Sequence, residues 1–136
     1  MTAVDTNVLF YVHDFRDVRK QQLAAALLPS IKDGALLWQV ACEYLWASRK
    51  LQPQGYSYAD AVADINELRT AWEPILPAWS VIDNLGDLKK TYGFSHWDSL
   101  LVGTCIARGV KILFSGDFGE LNRVGPIEIQ NPFRTS

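Results

Sequence analysis

Four carboxylates in this chain sit where carboxylates are expensive. Asp98 stands in the helical run SHWDSLLVGTCIARG and shares a face with Leu101, Val102 and Cys105, with no Lys or Arg at helical spacing to pair with it. Asp117 follows the short apolar run 111–114, Asp5 follows the opening residues TAV, and Glu43 interrupts VACEYLWA. An ionised carboxylate buried alone costs several kcal/mol, so each is expected to be hydrogen-bonded, paired or bound to a cation. Four such groups brought together cannot all stay ionised without positive charge between them. An all-oxygen cluster without His or Cys suits Mg2+ or Mn2+, hard ions that keep several waters. That chemistry fits phosphodiester hydrolysis, in which the ion activates water, neutralises phosphate charge and stabilises the leaving oxygen. Thr6, Asn7 and Ser115 add uncharged hydrogen-bonding groups beside the acids.

Each acid also has an ordinary reading. Asp98 falls three residues after Ser95, the spacing of a capping box. Asp5 suits an Asx-turn or helix cap, Gly116-Asp117 is common turn chemistry, and Glu43 can accept a neighbouring backbone amide. Four caps at once is the weaker account, because Glu43 and Asp98 lie in the most apolar helices of the chain.

The elements that must position these groups follow from apolar spacing and punctuation. A strand is expected over residues 2–4 and a helical turn over 8–12, packed under the sheet. A helix over 17–32 has Leu23, Ala26, Leu27 and Ile31 as its buried stripe and Gly34 as its stop. Residues 35–38 read as a second strand and 39–51 as a helix ending in Arg49 and Lys50, where the dipole favours cations. Pro53 and Gly55 mark a loop. A capping box, Ser57 to Asp60, then opens a helix with Tyr58, Ala61, Val62, Ile65, Leu68 and Trp72 on one side. Ile75-Leu76 makes a short strand at best, and Val81, Ile82, Leu85, Leu88 and Tyr92 form a helix closed by Gly93. The central helix keeps Trp97, Leu100, Leu101, Thr104 and Cys105 together and ends at Gly109 before strand 111–114. Ile127-Glu128-Ile129 reads as a last edge strand, and PFRTS as a loose tail. Strands alternating with helices predict an α/β layered domain with a mainly parallel sheet. In such sheets ligands bind at the strands' C-terminal ends where strand order reverses, which is where Asp5 and Asp117 point.

At 136 residues the chain, 1–136, is expected to be one domain with one core. The net charge of −2 gives no global field toward nucleic acid, so a polyanion must be met by local basic clusters or bound cations. Arg16/Arg19/Lys20, Arg49/Lys50 and Lys89/Lys90 are the candidate clusters, although such groups are usually solvated faces. Cys42 and Cys105 lack metal or disulfide spacing and read as small core residues of a reduced, cytoplasmic protein. Strand-like residues directly after Met1 leave no room for a signal peptide, and no apolar run approaches the ~20 residues of a membrane span.

Taken in order, VDTNVLFYVHD, WQVACEYLWASRK and SHWDSLLVGTCIARG with ILFSGDF resemble PIN-domain ribonucleases, most nearly the VapC-type toxins of bacterial toxin–antitoxin pairs. The resemblance covers nearly the whole chain. It implies a PIN-like α/β fold with a central sheet of about five short strands and Mg2+- or Mn2+-dependent endoribonuclease activity. By position the family's acids fall on Asp5, Glu43, Asp98 and Asp117, its small hydroxyl residue on Ser115, and its polar pair on Thr6 and Asn7. It further implies an RNA substrate, self-association as a homodimer, and a VapB-type antitoxin that lays a segment over the chain with a basic side chain among the acids. Tyr44, Trp46, Tyr56, Tyr58 and Trp79 are candidates for the covered surface. Two departures stand out: Gly116 occupies a position where the family commonly has an acid, and FGELN replaces a longer polar run. His13 and Asp14 match a variable region and are expected at the surface.

Two other classes remain in view. One is a PIN-like module that binds metal or RNA with little catalysis, which loss of an acid would favour; all four are retained. The other is a phospho-acceptor signalling domain, which requires an acidic pair near the first strand and a Lys after a late one, and the chain shows neither.

Overall fold

Three apolar strands at the middle of one sheet set the frame. In the computed structural model, which describes residues 1–134, β1 is Thr2–Val4, β2 is Gly34–Leu37 and β4 is Ile112–Phe114. β1 runs parallel to both others, with Ala3 opposite Ala35 on one side and Leu113 on the other. β3 (Glu73–Ile75), β5 (Arg123–Val124) and β6 (Ile127–Gln130) complete a six-stranded sheet in the order β3-β2-β1-β4-β6-β5. Every pairing is parallel except β5 with β6. The expected last strand is therefore not the edge. β6 lies inside, and a hairpin through the two-residue turn Gly125-Pro126 adds β5 beyond it. β3 forms the opposite edge and carries Pro74, which an inner strand would not tolerate.

Six α-helices cover the sheet: α1 (Thr6–Tyr11), α2 (Val18–Ser30), α3 (Trp38–Ala47), α4 (Tyr58–Ala71), α5 (Trp79–Tyr92) and α6 (His96–Ala107). A 3-10 segment, Ser48–Gln54, carries the end of the helix expected over 39–51. The expected capping box opens α4, with Ser57 Oγ accepting from Asp60 N–H and the Asp60 carboxylate from Ser57 N–H. Gly109 adopts φ +76°, the left-handed conformation that ends α6 and turns the chain into β4. Val4, Val8, Leu37, Val40, Leu101, Val102 and Leu113 are fully buried between the layers, and each contributes about 1.5–3 kcal/mol of burial.

Several expected faces are corrected. In α2 the buried residue is Ala24, with Leu27, Leu28 and Ile31 packed against the core, whereas Leu23 and Ala26 are exposed. Gly34 does not stop that helix but begins β2: a Cβ there would lie 2.3 Å from the Trp72 ring, so glycine is what lets Trp72 cover the strand. Trp38 opens α3 instead of closing β2 and is exposed, as are Tyr58 and Trp97. Cys42 is exposed, while Cys105 is buried as expected. The tail is anchored: Phe133 is buried with its ring edge against Tyr11 at 5.2 Å. The last two residues of the expected loose tail, Thr135 and Ser136, lie outside the described residues. No helix among the described residues is long and apolar enough to cross a membrane.

Candidate active site

The strand order reverses between β1 and β4. From β1 the chain builds β2 and β3 to one side, then returns to place β4 on the other. The C-terminal ends of these two strands open a crevice there. Asp5 leaves β1, and Ser115 and Asp117 leave β4, so hydrogen bonds between residues far apart in sequence tie the crevice. Asp5 N–H donates to Phe114 O at 2.8 Å, Ser115 Oγ donates to Asp5 Oδ2 at 2.7 Å, and Asp117 N–H donates to Ser115 Oγ at 3.1 Å. Thr6 N–H donates to Asp5 Oδ1 at 2.7 Å, which makes Asp5 the cap of α1 as well.

The helices bring the other two acids. Glu43, one turn into α3, accepts from Thr6 Oγ1 at 3.2 Å and from Gln39 Nε2 at 2.6 Å. Gln39 Nε2 also donates to Trp97 O at 3.0 Å, fastening the start of α3 to the start of α6. Asp98 sits in the first turn of α6, where its N–H donates to Ser95 Oγ at 3.1 Å. That is half of the capping box the spacing suggested. The carboxylate is also bonded by the Ser95 side chain and feels the charges of Asp117 and Glu43.

Those charges act on one another. Asp5 is only 6% exposed, and burial pushes its carboxyl up to about 6, partly offset by the bonds from Ser115 and Thr6 and reinforced by Asp117 and Asp98. Asp98 is also raised, first by burial, with Asp117 and Glu43 adding to it against the bond from Ser95. Each of the four expected acids is therefore within electrostatic reach of another, and Thr6 and Ser115 bond directly to members of the group. Asn7 accepts a long bond from Gly116 N–H at 3.4 Å, and its buried Nδ2 has no partner among the described residues.

For a divalent ion the acids form an open rim. Among the described residues no three His, Cys, Asp or Glu side chains enclose an ion by themselves. The donors are nonetheless all oxygen, come from four elements and repel one another when ionised. That set suits an ion such as Mg2+, which is held by one or two carboxylates and fills its other positions with water. Asp5, Glu43, Asp98 and Asp117 fit that role.

Two residues expected at the surface lie elsewhere. Asp14 is buried, forked by Arg16 at 2.8 and 3.1 Å and bonded by Gln54 at 3.0 Å; the Arg16 guanidinium chiefly holds its carboxyl down to about 2. His13 is half-buried, stacked on Tyr56 at 4.2 Å and 3.0 Å from Asp64. Tyr56 donates to Asp64 at 2.5 Å and shares a hydrogen bond with Tyr44 at 2.6 Å. This polar knot borders a cavity of about 420 Å3 lined by Leu9, Val12, Leu28, Ile31, Ile65 and Leu68, away from the acids.

Gln39 escaped the sequence reading, although its i,i+4 spacing to Glu43 was a usable signal. Asn131 and Phe133 escaped it too, and Lys20 reads there only as part of a basic cluster that is usually a solvated face. They line a second cavity, of about 250 Å3, together with Asn7, Gly116 and Asp117, and only the fold brings residues 20 and 131 to the rim. A side chain at Gly116 would stand 3.2 Å from the Phe133 ring, so the acid common at this position in PIN-domain ribonucleases would crowd Phe133.

Comparison with known proteins agrees with this frame. The PIN domain model matches residues 2–125. The VapC20 toxin of Mycobacterium tuberculosis, which cleaves the sarcin–ricin loop, superposes with a TM-score of 0.70 at 16% identity, over 94% of this chain and 99% of that one. A toxin–antitoxin complex from Klebsiella pneumoniae gives 0.68 at 15% identity, over 97% and 98%. VapBC2 of Rickettsia felis, bound to a DNA fragment from its promoter, gives 0.66 at 16% identity, over 96% and 97%. Among curated protein sequences none matches the chain. The family match runs from β1 to the β5–β6 turn and so spans every element that carries an acid of the crevice; the chain belongs to the PIN domain family.

Proposed function

We propose that this chain is a divalent-cation-dependent endoribonuclease and the toxin of a VapBC-type toxin–antitoxin pair, working as one unit in the cytoplasm. The observation that carries the reading is the coupling of Asp5, Asp98, Glu43 and Asp117 at the reversal of a PIN-family sheet. Asp5, Asp98, Glu43 and Asp117 would hold Mg2+ or Mn2+, which when bound polarises the phosphodiester and supplies a water of lowered pKa. The chain's own groups do the rest. Asp5 is fixed by Ser115 and Thr6, so it does not reorganise as charge develops. Gln39 fixes Glu43 and keeps the start of α6, with Asp98, in register with α3. Thr6 Oγ1 and Ser115 Oγ orient the carboxylates.

The structural neighbours include toxin–antitoxin complexes, which supports a VapB-type antitoxin as partner. The large apolar cavity beside α1, α2 and α4 suits the apolar side of such a segment, and a basic side chain beyond it would silence the acids. A homodimer is part of the same reading.

The purified chain is tested on unstructured RNA with Mn2+ or Mg2+, with sequencing of the ends produced. Cleavage is expected to stop in EDTA, and Glu43→Gln to slow it on the order of 10²-fold or more. Cutting at wild-type rate in EDTA would refute metal-assisted hydrolysis.

A further inference from the structure

We infer that the smaller cavity beside Asp117 is a subsite for the RNA strand, holding the phosphate and sugar of a nucleotide next to the one cut, with Lys20 as its phosphate-binding group. The inference rests on the ribonuclease reading and extends it to how the strand is held.

Three basic residues enter or open α2, and two are already committed. Arg16 is forked onto Asp14, and Arg19 donates to the carbonyl of Phe133. Lys20 is held differently. Its ammonium lies 4.8 Å from the Tyr11 ring centre and 5.8 Å from that of Phe133, and it makes no ion pair among the described residues. Aromatic faces position a cation without neutralising it. Lys20 thus keeps a full charge at the wall of a cavity whose other wall belongs to the acid rim.

Of the remaining lining, the amides of Asn7 and Asn131 offer donors that suit an oxygen. Asn7 Nδ2 is buried and has no acceptor among the described residues, while Asn7 Oδ1 takes a long bond from Gly116 N–H at 3.4 Å. An unpartnered buried donor is unfavourable, and Asn7 lines the cavity into which a phosphate or ribose oxygen would bring an acceptor. Asn131 commits its Oδ1 to Phe133 N–H at 2.9 Å, leaving its amide nitrogen to donate. At about 250 Å3 the cavity falls below the ~300 Å3 at which pockets for whole drug-sized ligands begin. It fits a phosphate with part of a sugar. Contacts of that kind position a strand and carry no base preference.

The test measures binding of a short unpaired oligoribonucleotide, with Mn2+ in a Glu43→Gln background, across a salt series, beside the cleavage kinetics of the otherwise native chain. Lys20→Gln is expected to weaken binding about tenfold and to make the log–log salt slope shallower by about 0.7, the loss of one single-strand phosphate contact. It is expected to raise KM with kcat nearly unchanged, and Lys20→Arg to restore KM. Inorganic phosphate should compete with the RNA for the parent protein and less for Lys20→Gln. Unchanged affinity and slope in a Lys20→Gln protein of normal melting temperature would overturn the inference. So would phosphate competition that depends on Lys20 while RNA affinity does not, which would mark a free-anion pocket. Binding through Lys20 without cleavage would fail the ribonuclease reading alone; cleavage indifferent to Lys20 would fail this inference alone.

Discussion

Asp5 carries the most strained charge on the rim. Its carboxyl is raised from 3.8 to about 6, so between roughly pH 4 and pH 6 the folded chain holds a proton that the unfolded chain has released. Stability contributed by this group is therefore present below about pH 4, falls as pH rises to about 6, and is level above. The loss is on the order of 3 kcal/mol. Asp98 is raised too and acts in the same direction. Asp5→Asn keeps the shape and the bond from Thr6 N–H, with its amide now donating to Ser115 Oγ, so it is expected to flatten the decline in urea-denaturation stability over that window. Mn2+ binds only the folded, ionised site and is expected to raise the melting temperature at pH 7, less in Asp98→Asn than in the parent. An Mn2+ response unchanged in both variants would sink the metal reading.

At the scale of elements, Gly34 is the tightest junction, where β2 passes under Trp72 at the end of α4. Gly34→Ala is expected to cost about 1–3 kcal/mol by displacing a buried indole, read as a lower denaturation midpoint with unchanged slope. Element positions were mostly legible because apolar runs, Ser57, Ser95, Gly93 and Gly109 punctuate them. Faces were less so. The run LAAALL in α2 can place either of two helical stripes inward, and in the structure the one through Ala24 is buried where α2 packs on α1. β5 is two residues long and has no period of its own, and the reading of 127–129 as the last strand missed it. The acids were legible because charge in apolar sequence is conspicuous. Asn131 is a polar residue in polar surroundings that nothing local distinguishes, and the cluster holding Lys20 looked like any solvated basic face until the fold brought it to the rim.

At the scale of the molecule, large apolar side chains remain outside. Trp79 is 85% exposed and Trp46 69%, with Leu76 and Ile82 also uncovered, whereas Tyr44 is buried and Tyr56 half-buried. On the proposed homodimer these side chains are candidates for the surface that is covered. The chain is expected to run as a dimer in light scattering, and Trp79→Asp as a monomer; a parent monomer would remove the homodimer from the proposal. Expressed without a partner, the chain is expected to arrest growth, and Asp5→Asn to relieve the arrest at equal protein level. Harmless expression of the parent chain would end the toxin reading.

The two ends of the sheet bear on a different property. β3 interrupts its outer row of amides with Pro74, and β5 offers only two residues. Neither margin is a template on which another chain can add a strand. With a net charge of only −2, mutual repulsion between molecules is weak, and large aromatics on the outside invite collision. The blunt margins let those collisions end in side-chain contact, which is reversible, and deny them the hydrogen-bonded stacking by which aggregates become permanent.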